Sequence, residues 1–115
     1  LQLCQGLQQA IPQRQWMQLL PLLNHENVDH RLTWLCALLL DAIKLQQGVT
    51  TALMNLDQQP LVHQLASTQA TLVLQQQLEQ WIFCRHQLLT TVGLNRELML
   101  TRQLCLWSES FPPAV

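Results

Sequence analysis

Histidine and cysteine are the side chains of this sequence that could bind a metal ion or act as nucleophiles. His25 and His30 are five residues apart, so they do not share a helix face as metal ligands at i and i+4 would. Cys84 and His86 are separated by one residue, and alternate residues of a helix point to different faces. The spacing therefore favours a buried Cys84 and a surface His86 over a metal or thiolate site.

Carboxylates and glycines indicate no clearer chemistry. Glu26 and Asp29 are close in sequence, but they lie where a loop leads into a predicted helix, as loop and capping residues do. The three glycines stand alone, and the sequence has no Gly-Lys-Ser/Thr phosphate loop. We therefore assign no catalytic residue, no cofactor-binding residue and no metal ligand, and we expect no cofactor.

Arg96 and Glu97 are the charged pair that could take part in binding another chain. They are adjacent in the first turn of a predicted helix, where neighbouring residues do not face each other. Each side chain could therefore reach another helix or another chain, and we treat both as interface candidates. The alternative is a solvated Arg96 beside a Glu97 that complements the positive end of the helix dipole.

The segment around this pair predicts the end of one helix and the start of the next. Gly93 can adopt the left-handed conformation that closes a helix, and Asn95 is a preferred N-cap. Leu94 and Met99 occupy the N′ and N4 positions of a hydrophobic staple. We expect a structural joint at which two helices meet at a fixed angle.

Composition predicts the fold class that holds this joint. The chain has 115 residues, enough for one domain, and 46 of them are Leu or Gln, with 27 and 19 copies respectively. Both residue types favour helices, while β-branched and aromatic residues are sparse. We expect an all-α, compact bundle of five to six helices that forms a single domain over residues 1–115.

Apolar periodicity and helix breakers place the first helices. Residues 1–10 form an amphipathic helix that Ile11-Pro12 should end, with Pro12 starting the next helix. Pro21 should kink or stop that second helix near residue 20. The longest helix, about 28–47, begins at Asn27 or Asp29 and is buried on most sides. It ends at Gly48.

The second half of the chain follows the same logic. Residues 48–60 are a connector without a clear pattern. A fourth helix starts near Pro60 and ends at Ser67-Thr68, which is also expected to cap the fifth helix. The fifth helix, about 69–92, has the run Gln75-Gln76-Gln77 on its exposed side. Its apolar residues are Leu74, Leu78, Trp81, Ile82, Leu88, Leu89 and Val92. A final helix covers about 96–108, with Leu98, Leu100, Leu104 and Trp107.

Charge and cysteine usage restrict the compartment and the partners. Only 11% of the residues are charged, against about a quarter in a typical domain, so part of the surface is expected to contact a partner protein. The alternative is that the Gln residues interact with the solvent in place of charged residues. The net charge of −1 argues against direct contact with nucleic acid. Four widely spaced cysteines in apolar runs predict buried, reduced thiols and a cytoplasmic protein. The longest apolar run, seven residues, is far shorter than the roughly 20 that span a membrane.

Several segments occur together in the order seen in a known family. They are residues 12–16, 22–26, 31–35, 40–44 and 93–98, the last reading Gly-Leu-Asn-Arg-Glu-Leu. In this combination the chain resembles the C-terminal domain of the delta prime subunits of bacterial DNA polymerase III, which are clamp-loader components. Pro21 departs from the continuous helix of that family, so the second helix should be shaped differently.

The resemblance implies a helical collar domain without catalysis of its own. In that family, C-terminal domains of neighbouring subunits, of the gamma/tau and delta types, pack into a ring that supports ATP-driven loading of the sliding clamp during DNA replication. The ATPase-like AAA+ modules, the arginine finger and the zinc-binding module belong to N-terminal parts that have no counterpart here. DNA would be contacted only through the assembled complex. The missing initiator methionine also suggests a piece of a longer protein.

Two other readings remain open from the residues alone. A free-standing helical adaptor would bind one partner in an apolar groove. A small enzyme would need a reactive Cys84 or His86 in a concave pocket.

Overall fold

A computed structural model describes residues 2–13, 15–24, 26–48, 59–91, 93 and 95–110. Within these residues the chain is all-α, which confirms the predicted fold class. The helices are α1 (Gln2–Gln13), a 3-10 helix (Trp16–Leu19), α2 (Leu20–Leu23), α3 (Val28–Gln46), α4 (Gln59–Thr68), α5 (Thr71–Thr90) and α6 (Arg96–Glu109). The predictions for residues 49–58 of the connector, for Val92 and for Leu94 lie outside the described residues.

The longest apolar helix of the first half, α3, lies at the centre of the fold. It packs most extensively against α5 and then against α4. Side chains from several directions around its axis are fully buried, as its broad apolar stripe predicts: Leu32, Leu35, Leu38, Leu39 and Ala42. The predicted end is also confirmed, because Gly48 adopts φ +81° and donates its N–H to the Leu45 carbonyl at 3.0 Å.

The end of α1 differs from the prediction. The helix continues through Ile11 and Pro12 to Gln13, so Pro12 neither ends α1 nor starts the next helix. Proline is tolerated near the end of α1 because its missing N–H removes only one backbone hydrogen bond from the final turns of the helix. Burial of Ile11 beside Leu7 and Ala10 keeps that last turn against the core.

The helix type changes next to Pro21, where the sequence predicts a kink or a stop. The backbone is a 3-10 helix over Trp16–Leu19 and becomes α-helical from Leu20. Pro21 has no N–H to offer the Met17 carbonyl, and the N–H of Leu20 bonds to that carbonyl instead. At the other end of α2, the Arg31 guanidinium donates to the Leu22 carbonyl, which fixes α2 against α3.

The boundary between α4 and α5 carries a second correction. Ser67 and Thr68 end α4 as predicted, but the N-cap of α5 is Ala70. The Thr68 hydroxyl donates back to the Gln64 carbonyl at 2.7 Å, so it serves the end of α4 rather than the start of α5. Gln46 of α3 secures this corner by donating to the carbonyls of Ala66 and Gln69 at 2.9 Å and 2.6 Å.

Three buried tryptophans connect the 3-10 helix, α5 and α6. The Trp107 ring centroid lies 5.0 Å from that of Trp16 and 5.9 Å from that of Trp81 in a T-shaped contact. The Trp107 indole N–H donates to the Gln69 side-chain oxygen at 3.1 Å, and the Gln69 amide donates to the Ser110 hydroxyl at 2.7 Å. Trp107 is therefore both packed and hydrogen-bonded.

We predict that Trp107→Ala lowers the free energy of unfolding by about 3–5 kcal/mol. The substitution removes both ring contacts and leaves the buried Gln69 oxygen without its donor. Urea denaturation followed by circular dichroism measures the loss. Trp34→Ala is the matched control, because Trp34 is only partly buried, and it should lose clearly less stability. Equal losses from the two substitutions would contradict a central role for Trp107.

Candidate interaction surface

The connection between α5 and α6 has a defined backbone. Thr91 is extended after the last turn of α5, and its N–H donates to the Gln87 carbonyl at 3.0 Å. Gly93 adopts φ +85° within the connection. Because α5 ends at Thr90, two residues before the predicted end near residue 92, Gly93 does not close the helix directly as predicted. Asn95 is the N-cap of α6, and its side-chain oxygen accepts from the Leu98 N–H at 3.0 Å. Met99 is partly buried against the core.

Arg96 and Glu97 lie on the exposed first turn of α6. The Arg96 Nε donates to the Asn24 side-chain oxygen at 2.7 Å, which links α6 to the turn between α2 and α3. Arg96 thus reaches another element of its own chain, while Glu97 stays on the solvent side. Their use by another chain remains a proposal.

A cleft of about 170 Å³ opens beside this joint. It lies between the start of α3, the end of α5 and the start of α6, and its described lining is Val28, Asp29, Leu32, Arg85, Leu88, Leu89, Thr91, Gly93 and Arg96. Arg85 and Asp29 form an ion pair across it, with Nε and Oδ1 2.6 Å apart. The fold therefore brings Gly93 and Arg96 together with residues that are far away in sequence.

The outward side of α5 exposes large apolar side chains. Leu72 is 64% exposed, Ile82 50%, Phe83 61% and Leu89 53%. We call these four residues the α5 outer face. Single exposed apolar side chains are ordinary on protein surfaces, but four large ones on one helix are more than that general pattern explains. Exposed polar residues, among them Gln75 and Glu79, lie between them. Leu98, at 65% exposure, adds an apolar residue to the first turn of α6.

Sequence reasoning placed two of these residues wrongly. Ile82 and Leu89 were expected on the buried side of the fifth helix, and Gln77 with Gln75 and Gln76 on the exposed side. In the structure Gln77 is buried, whereas Gln75 and Gln76 are exposed as predicted. Apolar residues surround α5 on most sides, so periodicity alone does not select the side that packs inward. From the sequence, only the large number of apolar residues in α5 could have indicated that some of them are exposed.

Two of the thiols in the described part of the chain have raised pKa values. Burial raises the pKa of Cys36 to about 11, and burial also raises the pKa of Cys84 above its usual value. Cys84 is buried and His86 exposed, as the spacing favoured. Cys105 is exposed, which contradicts the expectation of a buried thiol at that position. Among the residues described, no three His, Cys, Asp or Glu side chains converge as metal ligands would.

Comparison with known proteins identifies the family. The family model described as DNA polymerase III, delta subunit, C terminal, matches residues 1–109. The chain belongs to this family. It is 53% identical over 105 residues to the DNA polymerase III subunit delta' of Yersinia pestis, covering 91% of this chain and 31% of the relative. It is 38% identical over 113 residues to DNA polymerase III subunit delta' of Escherichia coli K12, covering 98% of this chain and 34% of the relative.

These relatives confirm the resemblance to delta prime C-terminal domains. The chain spans about a third of the length of the curated relatives it matches. The corner that includes Gly93, Asn95 and Arg96 is thus part of a DNA polymerase III delta-type C-terminal domain. In the part of this domain that the structure describes, no helix combines the length and apolar character needed to cross a bilayer.

We predict that Gly93→Val destabilises this delta-type domain by about 1–2 kcal/mol, because φ +85° forces a β-branched residue into the left-handed region. Apart from Gly93 and its two chain neighbours, no residue that the structure describes has an atom within 4 Å of a Cβ built at Gly93, so the loss comes from the backbone and not from a clash. Gly93→Asn is the matched control and should lose much less, because Asn tolerates this conformation. Thermal denaturation of both variants measures the difference, and equal melting temperatures would contradict the requirement for positive φ.

We predict that Cys36 resists alkylation by iodoacetamide at pH 8 in the folded domain. With a pKa of about 11, roughly one Cys36 in a thousand is thiolate at that pH. The labelling rate should rise about tenfold per pH unit up to pH 11. Exposed Cys105 should label first, and mass spectrometry of tryptic peptides distinguishes the two sites. Labelling of Cys36 at the rate of Cys105 at pH 8 would contradict its burial.

Proposed function

We propose that this chain is an assembly domain of a DNA polymerase III clamp loader. It packs with the C-terminal domains of neighbouring subunits, of the gamma/tau and delta types, into a helical collar. The collar supports ATP-driven loading of the sliding clamp during DNA replication in the bacterial cytoplasm. AAA+-type modules, N-terminal to this domain in the parent protein, carry the ATP-linked chemistry, and the domain itself has no catalytic activity.

The observation that carries this proposal is the α5 outer face. Burying Phe83, Ile82 and Leu89 against a partner would remove a large apolar area from water, at roughly 25 cal/mol per Å². The inner side of the same helix is anchored by Leu74, Trp81 and Cys84, so the outer face is presented on a rigid element. A rigid apolar helix face is what helical subunits use to pack together.

A subunit inside a ring needs contacts on two flanks. We propose that the first turn of α6 contributes to the second contact, with exposed Leu98 as its apolar part and Arg96 and Glu97 as its charged part. Charged groups at the rim of an interface favour correct partners more than they add affinity. Both residues are proposed interface residues for this reason.

The low charge of the chain supports an indirect relation to DNA. Six Lys or Arg side chains are balanced by seven Asp or Glu, so the domain as a whole has no excess of positive charge to attract phosphates. DNA is then contacted by other parts of the assembled loader. Burial of Cys36 and Cys84, with raised pKa values, also gives no support to the reading as a small thiol enzyme.

We predict that Phe83→Asp weakens co-assembly at least tenfold. The test mixes the domain with the C-terminal domains of gamma/tau-type and delta-type subunits from the same organism and measures complex size by gel filtration with light scattering. The substitution places a charge in the centre of the apolar face, where its desolvation opposes binding. Circular dichroism should be unchanged, because Phe83 does not contribute to the core.

Gln8→Asp is the charge-matched control on the exposed side of α1, and it should assemble like the wild-type domain. Failure of the wild-type domain to form any complex with these partners would refute the assembly role. Normal assembly of Phe83→Asp would move the interface away from the α5 outer face.

A further inference from the structure

The cleft beside the α5–α6 joint is a second surface feature. It shares Leu89 with the α5 outer face and Arg96 with the proposed second contact, but its other described lining residues belong to neither surface. The apolar part of its described lining is Val28, Leu32, Leu88 and Leu89. Its rim is charged and polar, with Arg85, Asp29 and Arg96. An apolar pocket with a few convergent charged groups is the usual form of a ligand site.

The charges at this rim do not balance. The described lining holds two guanidinium groups and one carboxylate, and the carboxylate of Asp29 already pairs with Arg85 at 2.6 Å. Arg96 donates to the neutral side-chain oxygen of Asn24, which satisfies a hydrogen bond without neutralising the charge. The described rim therefore has a net charge of +1, centred on Arg96. A ligand that brings one negative charge complements it.

The size of the cleft restricts the apolar part of such a ligand. Its volume is about 170 Å³, and an apolar cavity of about 150 Å³ is large enough to hold a benzene ring. The cleft is therefore comparable in size to one aromatic or large aliphatic side chain, which would contact Val28 and Leu88. The cleft is open to solvent at exposed Thr91 and Leu89, so the rest of a peptide could leave it along that edge.

We propose that this cleft binds an acidic segment of a partner protein, in which one large apolar side chain enters the pocket and a neighbouring Asp or Glu pairs with Arg96. The site goes beyond the assembly role, although it shares Arg96 with the proposed second contact. Its apolar walls come from α3 and α5, and its charge comes from the first turn of α6. Only the packing of these three helices creates it.

The test titrates the complete 115-residue chain with short peptides and follows backbone amide signals by NMR. The main probe is a blocked octapeptide of glycine and serine with a central phenylalanine–glutamate pair. A second peptide replaces the glutamate with glutamine, and a third replaces the phenylalanine with alanine. A fourth ends in phenylalanine with a free terminal carboxylate.

We expect the phenylalanine–glutamate peptide to shift the amides of Thr91, Gly93 and Arg96 in a saturable manner. The glutamine peptide should bind about threefold to fivefold more weakly, as the loss of one partly exposed ion pair implies. The alanine peptide should not saturate, because it leaves the apolar pocket empty.

Two substitutions test the two parts of the cleft. Arg96→Gln removes the charge but keeps a hydrogen-bond donor for Asn24. In this variant the glutamate peptide and the glutamine peptide should have affinities within a factor of about two of each other. Thr91→Phe should fill the cleft from its exposed edge and abolish saturable binding. Its backbone is extended, which an aromatic residue accepts readily. If Arg96→Gln is not folded, Arg96→Ala gives the same comparison.

Matched controls separate the site from general effects. Arg102→Ala removes an exposed arginine of α6 outside the cleft, and Thr90→Phe adds an aromatic ring outside it. Both should bind like the wild-type chain. Equal affinity for the glutamate and glutamine peptides would overturn the proposal, as would shifts centred on Ile82 and Phe83. Tighter binding of the free-carboxylate peptide would overturn the assignment to an internal acidic segment.

Discussion

Trp107 joins parts of the chain that lie far apart in sequence. Its ring contacts Trp16 of the 3-10 helix and Trp81 of α5, while its N–H bonds to Gln69 between α4 and α5. The buried indole N–H needs a partner, and that need sets the direction of the ring as well as its position. These contacts hold α6 against α5 and against the 3-10 helix.

That placement also determines which surfaces are left for other molecules. With Trp81 and Leu74 held inward, α5 turns Ile82 and Phe83 to the solvent. The first turn of α6 is brought beside the start of α3, so Arg96 stands near the Arg85–Asp29 pair. The α5 outer face and the charged cleft therefore both result from the way the core packs.

Local chemistry explains why much of the fold could be predicted. Pro21 has no N–H, Gly48 accepts positive φ, and Asn95 offers a capping oxygen, so each of these residues ends or starts a helix whatever surrounds it. The prediction that Ile11-Pro12 ends α1 is wrong, because burial of Ile11 holds the last turn of the helix in place. Gln77 and Ile82 were misjudged because α5 is apolar on most sides, so its periodicity does not indicate an orientation.

The sequence by itself determined an all-α domain, the ends of most helices and membership in a recognisable family. These properties follow from residue types and short spacings, which act within one or two helical turns. Only the tertiary structure decided that Leu89 faces outward, that Arg96 bonds to Asn24, and that a cleft lies beside the joint. Such features depend on how α3, α5 and α6 pack against each other, because residues more than fifty positions apart must meet to form them.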